Sequence, residues 1–236
     1  MDHRIVARDE WLDARRALLA KEKRFTQLRD ELSAERRELP WEKVEKSYVF
    51  DGPAGRESLA DLFAGKSQLI VYHFMFAPEW EEGCKSCSFW ADNFDRLPVH
   101  LKHRDTTMLA ISRAPLAKLE AYRKRMGWSF KWVSSAASDF NYDYNVSFAG
   151  PRAGRSRTDY NFGASADDAR YTGEEFPGIS VFYKDATGDI FHTYSCYARG
   201  IDMMNNAYHY LDLTPKGRDE GDGIMAWLRR NDEYKD

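Results

Sequence analysis

The N-terminal part of the chain carries apolar residues at a regular spacing of seven. No Gly or Pro occurs between Arg8 and Leu39, and most of the intervening residues are charged or polar. The spaced positions are Trp11, Leu18, Phe25, Leu32 and Leu39. This pattern predicts a long amphipathic helix that ends before Pro40. A coiled coil needs a second line of apolar residues beside this stripe, but here that line would include the charged Lys21 and Glu35. We therefore expect the stripe to pack on the body of the protein or on a second subunit.

The rest of the chain alternates between short apolar runs and helical patterns. Strands are predicted in QLIVYHFMF, TTMLAIS and FKWVSS, and an antiparallel hairpin in PGISVFYKD and DIFHTYSCYARG. The segment YVFDGPAGRESLADLFAG predicts a short strand, a turn and a short helix capped by Ser58. Longer helices are predicted from about Cys84 to Leu97, where Pro98 stops or kinks the helix, and in APLAKLEAYRKRMGW. This order is typical of an α/β protein with a mostly parallel sheet.

Two segments in the C-terminal half differ from this alternation. Residues 137–175 are rich in Asn, Asp, Tyr, Ser, Gly and Arg and predict a long loop insertion. Its basic stretch GPRAGRSR is assigned no function, because such a stretch in an acidic chain is more often a solvated loop. The later segment IDMMNNAYHYLDLTP predicts a closing helix that ends at Pro215, with its Met and aromatic side chains in the core.

Composition limits the classes of function. A chain of 236 residues that is 43% hydrophobic can bury one sizeable core, or a core with an appendage. The formal net charge of -3 gives no global field that favours nucleic acid or an anionic membrane. The charged start lacks the features of a secretory signal, and the apolar run Leu69 to Phe76 is far shorter than the roughly 20 residues that cross a bilayer. We therefore expect a cytoplasmic protein without nucleic-acid or membrane partners.

The most informative motif is the C-x-x-C pair formed by Cys84 and Cys87, directly after an apolar strand. In a reducing compartment such a pair indicates redox or metal chemistry, although two inert core thiols are the simpler explanation. A thiol in the first turn of a helix faces unpaired N–H groups and the positive end of the helix dipole, which favour the thiolate. We expect Cys84 to attack and Cys87, one turn later, to resolve the mixed disulfide. The third cysteine, Cys196, is expected to fill the core.

A metal site is the main alternative chemistry for the two cysteines. Twelve residues separate Cys87 from His100, and His103 follows, close to a zinc-finger spacing. Only two residues separate these histidines and Pro98 interrupts the segment, so the pattern is a near miss. His192 is a candidate third ligand for a soft metal bound by the pair. A lone His in a strand is more often a structural residue.

Three long stretches of the sequence resemble one bacterial family. They are LLAKEKRFTQLRDELSAERRELPW, QLIVYHFMFAPEWEEGCKSCSFWADNF and PGISVFYKD followed by IFHTYSCYARG. They are similar to the thioredoxin-like DUF899 family of unknown function, whose members are often described as dithiol-disulfide oxidoreductases. The resemblance implies a thioredoxin-like, peroxiredoxin-type three-layer α/β sandwich over residues 41–236, with residues 1–40 as an N-terminal helical extension.

The resemblance also implies roles for individual residues. Thioredoxin-like proteins carry a cis-proline opposite the C-x-x-C pair, and Pro177 in EEFPGIS matches that place. The alternative is that Pro177 simply opens a strand, as prolines commonly do. Peroxiredoxins carry Thr or Ser three residues before the peroxidatic cysteine. Here Glu81 precedes Cys84 by three residues and Cys84 precedes Cys87 by three, which makes a peroxidase the weaker alternative.

The sequence therefore predicts a thiol-disulfide oxidoreductase that acts on a protein or small-molecule disulfide. Its site residues are Cys84, Cys87 and Pro177, and it needs no prosthetic cofactor or metal. A homodimer is compatible with the helical stripe. The alternative from another class is a binding protein on the same scaffold, whose cysteines hold zinc or copper or serve only structure.

Overall fold

The computed structural model describes residues 3–150, 152–154, 156–165, 168, 173–221 and 223–235. The chain divides into two compact units, residues 1–40 and 41–236. The first unit is the helix α1, Arg8–Arg37, which confirms the helix predicted from the seven-residue spacing. None of its residues is buried, and Trp11 and Phe25 are 53% and 66% exposed. No helix in the described part of the chain is both long and apolar enough to cross a bilayer.

The second unit is built on an eight-stranded sheet with the order β1-β8-β7-β4-β5-β6-β2-β3. The strands are β1 (Glu42–Lys43), β2 (Val49–Gly52), β3 (Gly55–Ser58), β4 (Gln68–His73), β5 (Thr106–Ser112), β6 (Trp132–Ser134), β7 (Gly178–Lys184) and β8 (Ile190–Tyr197). Strands β4, β5 and β6 run parallel, and the other neighbouring pairs are antiparallel. The predicted parallel centre and the β7/β8 hairpin are confirmed.

Helices cover both faces of this sheet. They are α2 (Leu59–Leu62), α3 (Lys85–Phe94), α4 (Leu97–Leu101), α5 (Leu116–Met126), α6 (Phe140–Asp143) and α7 (Asn206–Leu211). Alternate residues of β4 point to opposite faces. Tyr72 belongs to the core with α3, α5 and α7, whereas Leu69 and Val71 belong to the core with α2 and α6. The result is the predicted three-layer, thioredoxin-like α/β sandwich.

Several helices and strands differ from the prediction. Strand β3 was missed because GRES is polar, yet it pairs with β2 in a hairpin. The helix predicted from Cys84 to Leu97 ends at Phe94, and Pro98 lies in the first turn of the separate helix α4. The predicted closing helix is divided: a 3-10 segment over Ala198–Met204 precedes α7, and the Asn205 side chain caps α7 by accepting from the Tyr208 N–H.

The described part of the long connection between α6 and β7 contains regular structure. It has 3-10 turns within Arg157–Gly163, interrupted by a kink at Tyr160 to Phe162, and an isolated bridge between Ser147 and Glu175. Its aromatic residues form a small core with β8, in which Tyr160 stacks on Phe176 at 4.6 Å between ring centroids. Such contacts are not periodic in sequence, so the pattern of apolar residues did not predict them. The basic stretch from 150 to 157 includes residues 151 and 155, which lie outside the described residues.

Candidate redox site

The segment between β4 and α3 places Cys84 at the N-terminus of the helix. The Cys84 N–H donates to the Met75 carbonyl at 3.1 Å, and the Cys84 carbonyl accepts the first helical bond from the Ser88 N–H at 2.9 Å. Before it, Gly83 lies against two aromatic rings: a Cβ there would be 2.8 Å from Phe74 and 2.9 Å from Tyr122. Only glycine fits at this distance, so Gly83 allows the chain to enter the helix where it does.

Cys84 is the more exposed and more acidic of the two thiols. It caps α3 without a side-chain capping bond and is partly exposed. The Cys87 thiol and the backbone N–H groups of Cys87 and Ser86 interact with its sulfur and lower the pKa of Cys84 to about 7, although burial acts in the opposite direction. N–H groups at the start of a helix stabilise a thiolate in this way. A substantial fraction of Cys84 is therefore ionised at neutral pH.

Cys87 lies one helical turn later and is 1% exposed. Burial, followed by the neighbouring Cys84 thiol, raises the pKa of Cys87 well above its ordinary value. Its sulfur accepts a hydrogen bond from the Met75 N–H at 3.4 Å. The sulfur atoms of Cys84 and Cys87 are not bonded to each other. The two thiols are thus unequal in the sense expected for an attacking and a resolving cysteine.

Acidic residues near the pair are compensated by cations. Glu82 forms ion pairs with Arg125 and with Arg230, the latter at 2.9 Å. Arg230 also donates to the Gly83 carbonyl at 3.0 Å and to the Tyr122 hydroxyl at 2.7 Å. The negative charge of Glu82 is therefore directed to these two guanidinium groups, although it lies only two residues before Cys84.

Of the two interpretations of Pro177, the cis-proline is wrong, whereas a proline that opens a strand agrees with its place directly before β7. None of the described residues has a cis peptide bond. The trans form of an X–Pro bond is favoured by about 0.5–1 kcal/mol. The backbone groups on either side of this peptide bond also form hydrogen bonds. The Phe176 N–H donates to the Val146 carbonyl at 2.9 Å, and the Pro177 carbonyl accepts from the Tyr160 hydroxyl at 2.8 Å. Pro177 lines the same cavity as Cys87, and its part in catalysis stays a prediction.

Cys196 lies on β8 opposite Ile179 and is 6% exposed. It belongs to the same core as Cys87 and forms no disulfide. This location on a strand agrees with the expected core-filling role.

His192, the candidate metal ligand, takes part in a chain of hydrogen bonds across the sheet. Its Nε2 lies 2.8 Å from the Ser195 hydroxyl, which lies 2.8 Å from the Ser180 hydroxyl. The Ser180 hydroxyl lies 2.9 Å from Nε2 of the buried His73, and Nδ1 of His192 is 3.4 Å from a Glu42 carboxylate oxygen. Within the described ranges, no three His, Cys, Asp or Glu side chains come together in a way that could hold a metal. The metal alternative therefore finds no ligand set there.

A buried ion pair fixes the long connection beside the site. The Arg113 Nε donates to Glu175 at 2.6 Å, and the Ser147 hydroxyl donates to the second Glu175 oxygen at 2.7 Å. Burial raises the pKa of Glu175 to about 6 even though Arg113 favours the carboxylate. Glu175 lines the cavity that reaches Cys87. Sequence reasoning missed this pair, because 62 residues separate its members.

Tyr72 is the second residue near the cysteines that the sequence did not single out. It is 1% exposed, and its hydroxyl forms no hydrogen bond of good geometry within the described residues. Burial, followed by the neighbouring Cys87 thiol, raises the pKa of Tyr72 well above its ordinary value. The sequence signal that could have identified Tyr72 is a hydroxyl on the inner strand that precedes the cysteine segment.

Comparison with solved structures gives several remote likenesses. Peroxiredoxin Q of Xanthomonas campestris is 11% identical, with a TM-score of 0.47 over 72% of this chain and 95% of that one. A putative thiol:disulfide interchange protein DsbE of Chlorobium tepidum is 11% identical, with a TM-score of 0.41 over 72% of this chain and 97% of that one. At these identities and TM-scores no activity can be transferred.

A search of curated proteins found no match. A sequence model described as "Bacterial protein of unknown function (DUF899)" matches residues 1–234. The match covers the N-terminal helix, the cysteine pair and the β7/β8 hairpin together. The chain therefore belongs to the DUF899 family, as its sequence motifs predicted.

Proposed function

We propose that the protein is a thiol-disulfide oxidoreductase whose nucleophile is Cys84. The observation that carries the proposal is the inequality of the two thiols at one helix start. Cys84 is partly exposed with a pKa of about 7, while Cys87 is buried with a raised pKa. A thiolate whose pKa is close to the ambient pH combines a useful ionised fraction with high nucleophilicity.

The reaction requires only the two thiols and a disulfide substrate. The Cys84 thiolate attacks one sulfur of the substrate, the substrate S–S bond breaks, and the leaving thiolate takes up a proton. Cys87 then loses its proton and attacks the Cys84 sulfur, which breaks the mixed disulfide and releases the second thiolate, which takes up that proton. The substrate gains two electrons, and the pair becomes a Cys84–Cys87 disulfide. An external dithiol must reduce the pair for the next cycle.

The surroundings of Cys87 suit the resolving role. Its high pKa keeps it protonated while the substrate is attacked, so it does not compete with Cys84. The Met75 N–H is directed at its sulfur and would stabilise the thiolate that forms in the second step. The proposed substrate is a protein or small-molecule disulfide, and the proposed compartment is the reducing cytoplasm. A homodimer stays a prediction.

Trapping of the mixed disulfide tests the proposal. Cys87→Ser should form a covalent adduct with a disulfide substrate, visible on non-reducing electrophoresis and by mass, because no resolving thiol is left. Cys84→Ser should form none and lose turnover. Cys196→Ser is the matched control, since it removes a cysteine from the same core and should retain turnover without a trapped adduct. An adduct on Cys84→Ser, with none on Cys87→Ser, would reverse the assignment.

A further inference from the structure

A cavity with a volume of about 670 Å³ lies next to the pair. Cys87 and Ser86 lie in its wall, so the cavity opens beside the C-x-x-C segment. Most of the remaining wall is apolar or aromatic and includes Trp90, Phe176 and Met225. Small-molecule sites have volumes of this order and the same combination of apolar walls with a few polar groups. The wall comes from α3, from the end of the long connection and from the C-terminal segment.

One polar group in this wall has no hydrogen bond of good geometry. Tyr72 lines the cavity and is 1% exposed, and its hydroxyl lies beside the Cys87 thiol without forming a well-directed hydrogen bond to it or to any other group in the described part of the chain. A buried hydroxyl without a partner is unfavourable, and each such group in a folded protein calls for an explanation. A ligand atom that accepts a hydrogen bond would supply the missing partner.

Most charged residues of the wall are paired with an opposite charge. Glu175 is paired with Arg113, and Asp202 is paired with Arg199 at 3.2 Å and Arg218 at 3.0 Å. The Glu220 carboxylate accepts from two neutral donors, the Tyr208 hydroxyl at 2.6 Å and the Met225 N–H at 2.9 Å. The described wall therefore offers no unpaired cation to a ligand. An anionic ligand would lose its hydration without gaining an ion pair and would be repelled by Glu220, whereas a neutral ligand would not.

We propose that this cavity binds one arm of an uncharged, largely aromatic disulfide of low molecular weight, with the Tyr72 hydroxyl donating to an acceptor atom on that arm. The proposal rests on the proposed oxidoreductase function and names its class of substrate. It makes the long connection and the C-terminal segment parts of the substrate site. A protein disulfide would instead be recognised outside this cavity.

Two probes separate binding in the cavity from the redox reaction. 1,2-Di(4-pyridyl)ethane is neutral above the pyridine pKa, carries acceptor nitrogens and contains no sulfur, so calorimetry reports its binding whether or not the cysteines react. 4,4′-Dithiodipyridine is the corresponding disulfide, and its reduction is followed by absorbance. The dianion 5,5′-dithiobis(2-nitrobenzoate) and oxidised glutathione are the charged comparison substrates.

Three variants locate the site. Ile224→Glu places a carboxylate at a cavity residue that is 60% exposed, and Val99→Glu makes the same change at a 60% exposed residue outside the cavity wall. Ile224→Glu should weaken binding of the dipyridyl ethane on the order of tenfold, by the unfavourable burial of a charge. Tyr72→Phe should weaken it by roughly two- to tenfold, the value of one hydrogen bond. Val99→Glu should bind as the wild type does.

The possible results are distinct. Saturable reduction of dithiodipyridine, with KM raised in Ile224→Glu and Tyr72→Phe in parallel with the binding losses, supports the proposal. Absence of dipyridyl ethane binding, or equal binding by all variants, overturns it. Reduction of the charged disulfides with no preference for the neutral one overturns the substrate class and leaves the oxidoreductase function intact. Binding of the ethane without reduction of any disulfide overturns the oxidoreductase function, and the substrate class with it.

Discussion

The carboxyl group of Glu175 provides a quantitative test of the site's electrostatics, because two effects on it oppose each other. Arg113, 2.6 Å away, favours the carboxylate, whereas burial to 5% exposure favours the neutral acid. Burial is the larger effect and raises the pKa of Glu175 from 4.5 to about 6. A rise of this size means that the folded state favours the protonated form of Glu175, relative to the unfolded state, by a free energy of about 2 kcal/mol.

The sign of the effect on stability follows from the raised pKa. Because the folded state binds the proton more tightly than the unfolded state, Glu175 contributes this stability below pH 4.5 and loses it as the pH rises through about 6. Glu175→Gln removes the titration and retains groups that can bond to Ser147. The difference in unfolding free energy, wild type minus Glu175→Gln, should therefore fall by about 2 kcal/mol from below pH 4.5 to above pH 6.

Urea unfolding of both proteins at a series of pH values measures this difference. Glu174→Gln is the matched control, because its residue is exposed and adjacent and carries the same change in net charge. A difference that rises with pH would show that Arg113 outweighs burial and that the pKa of Glu175 is depressed. A difference that does not depend on pH would show that burial and Arg113 offset each other, so that the pKa of Glu175 is not raised.

Three further predictions concern the cysteines and the start of α3. Cys196→Ser should leave disulfide reductase activity within a few-fold of the wild type, and a loss as large as that of Cys84→Ser would show that Cys196 carries electrons. Gly83→Ala should lower the unfolding free energy by about 1–3 kcal/mol, because the new Cβ overlaps two rings; urea unfolding with an unchanged midpoint would contradict the packing. Cys87→Ala should raise the pKa of Cys84 more than Cys87→Ser does, because serine keeps a hydrogen-bond donor beside the Cys84 sulfur. The measurement is the rate of Cys84 alkylation as a function of pH in both variants, and coinciding profiles would contradict this prediction.

Much of the fold follows from local patterns in the sequence. The buried strand TTMLAIS coincides with β5, and the seven-residue spacing identified α1 to within two residues of its end. Ser58 was identified as a cap because a hydroxyl before LADL can accept from the backbone, and it forms a capping box with Asp61. Errors occur where tertiary pairing decides the structure: polar GRES is a strand only because β2 lies beside it.

The candidate site shows the same division between local and distant contributions. Cys84 and Cys87 are three residues apart, and their positions at a helix start could be predicted from the strand and the helical pattern around them. The cavity beside Cys87 could not be predicted, because Tyr72, Pro177 and Met225 are brought to it from distant parts of the chain. The family resemblance implied a cis-proline at Pro177, and the trans form could not be predicted from the local motif EEFPGIS.

The central claim is that Cys84 is an activated thiol and Cys87 is not. Alkylation by iodoacetamide as a function of pH, with the modified cysteine identified by peptide mass, tests it in Cys196→Ser protein that retains the intact pair. The account predicts that Cys84 is modified first, with a midpoint near pH 7, while Cys87 reacts slowly throughout this range. Faster modification of Cys87, or a Cys84 midpoint at the value of an ordinary thiol, about 8.5, would contradict the claim.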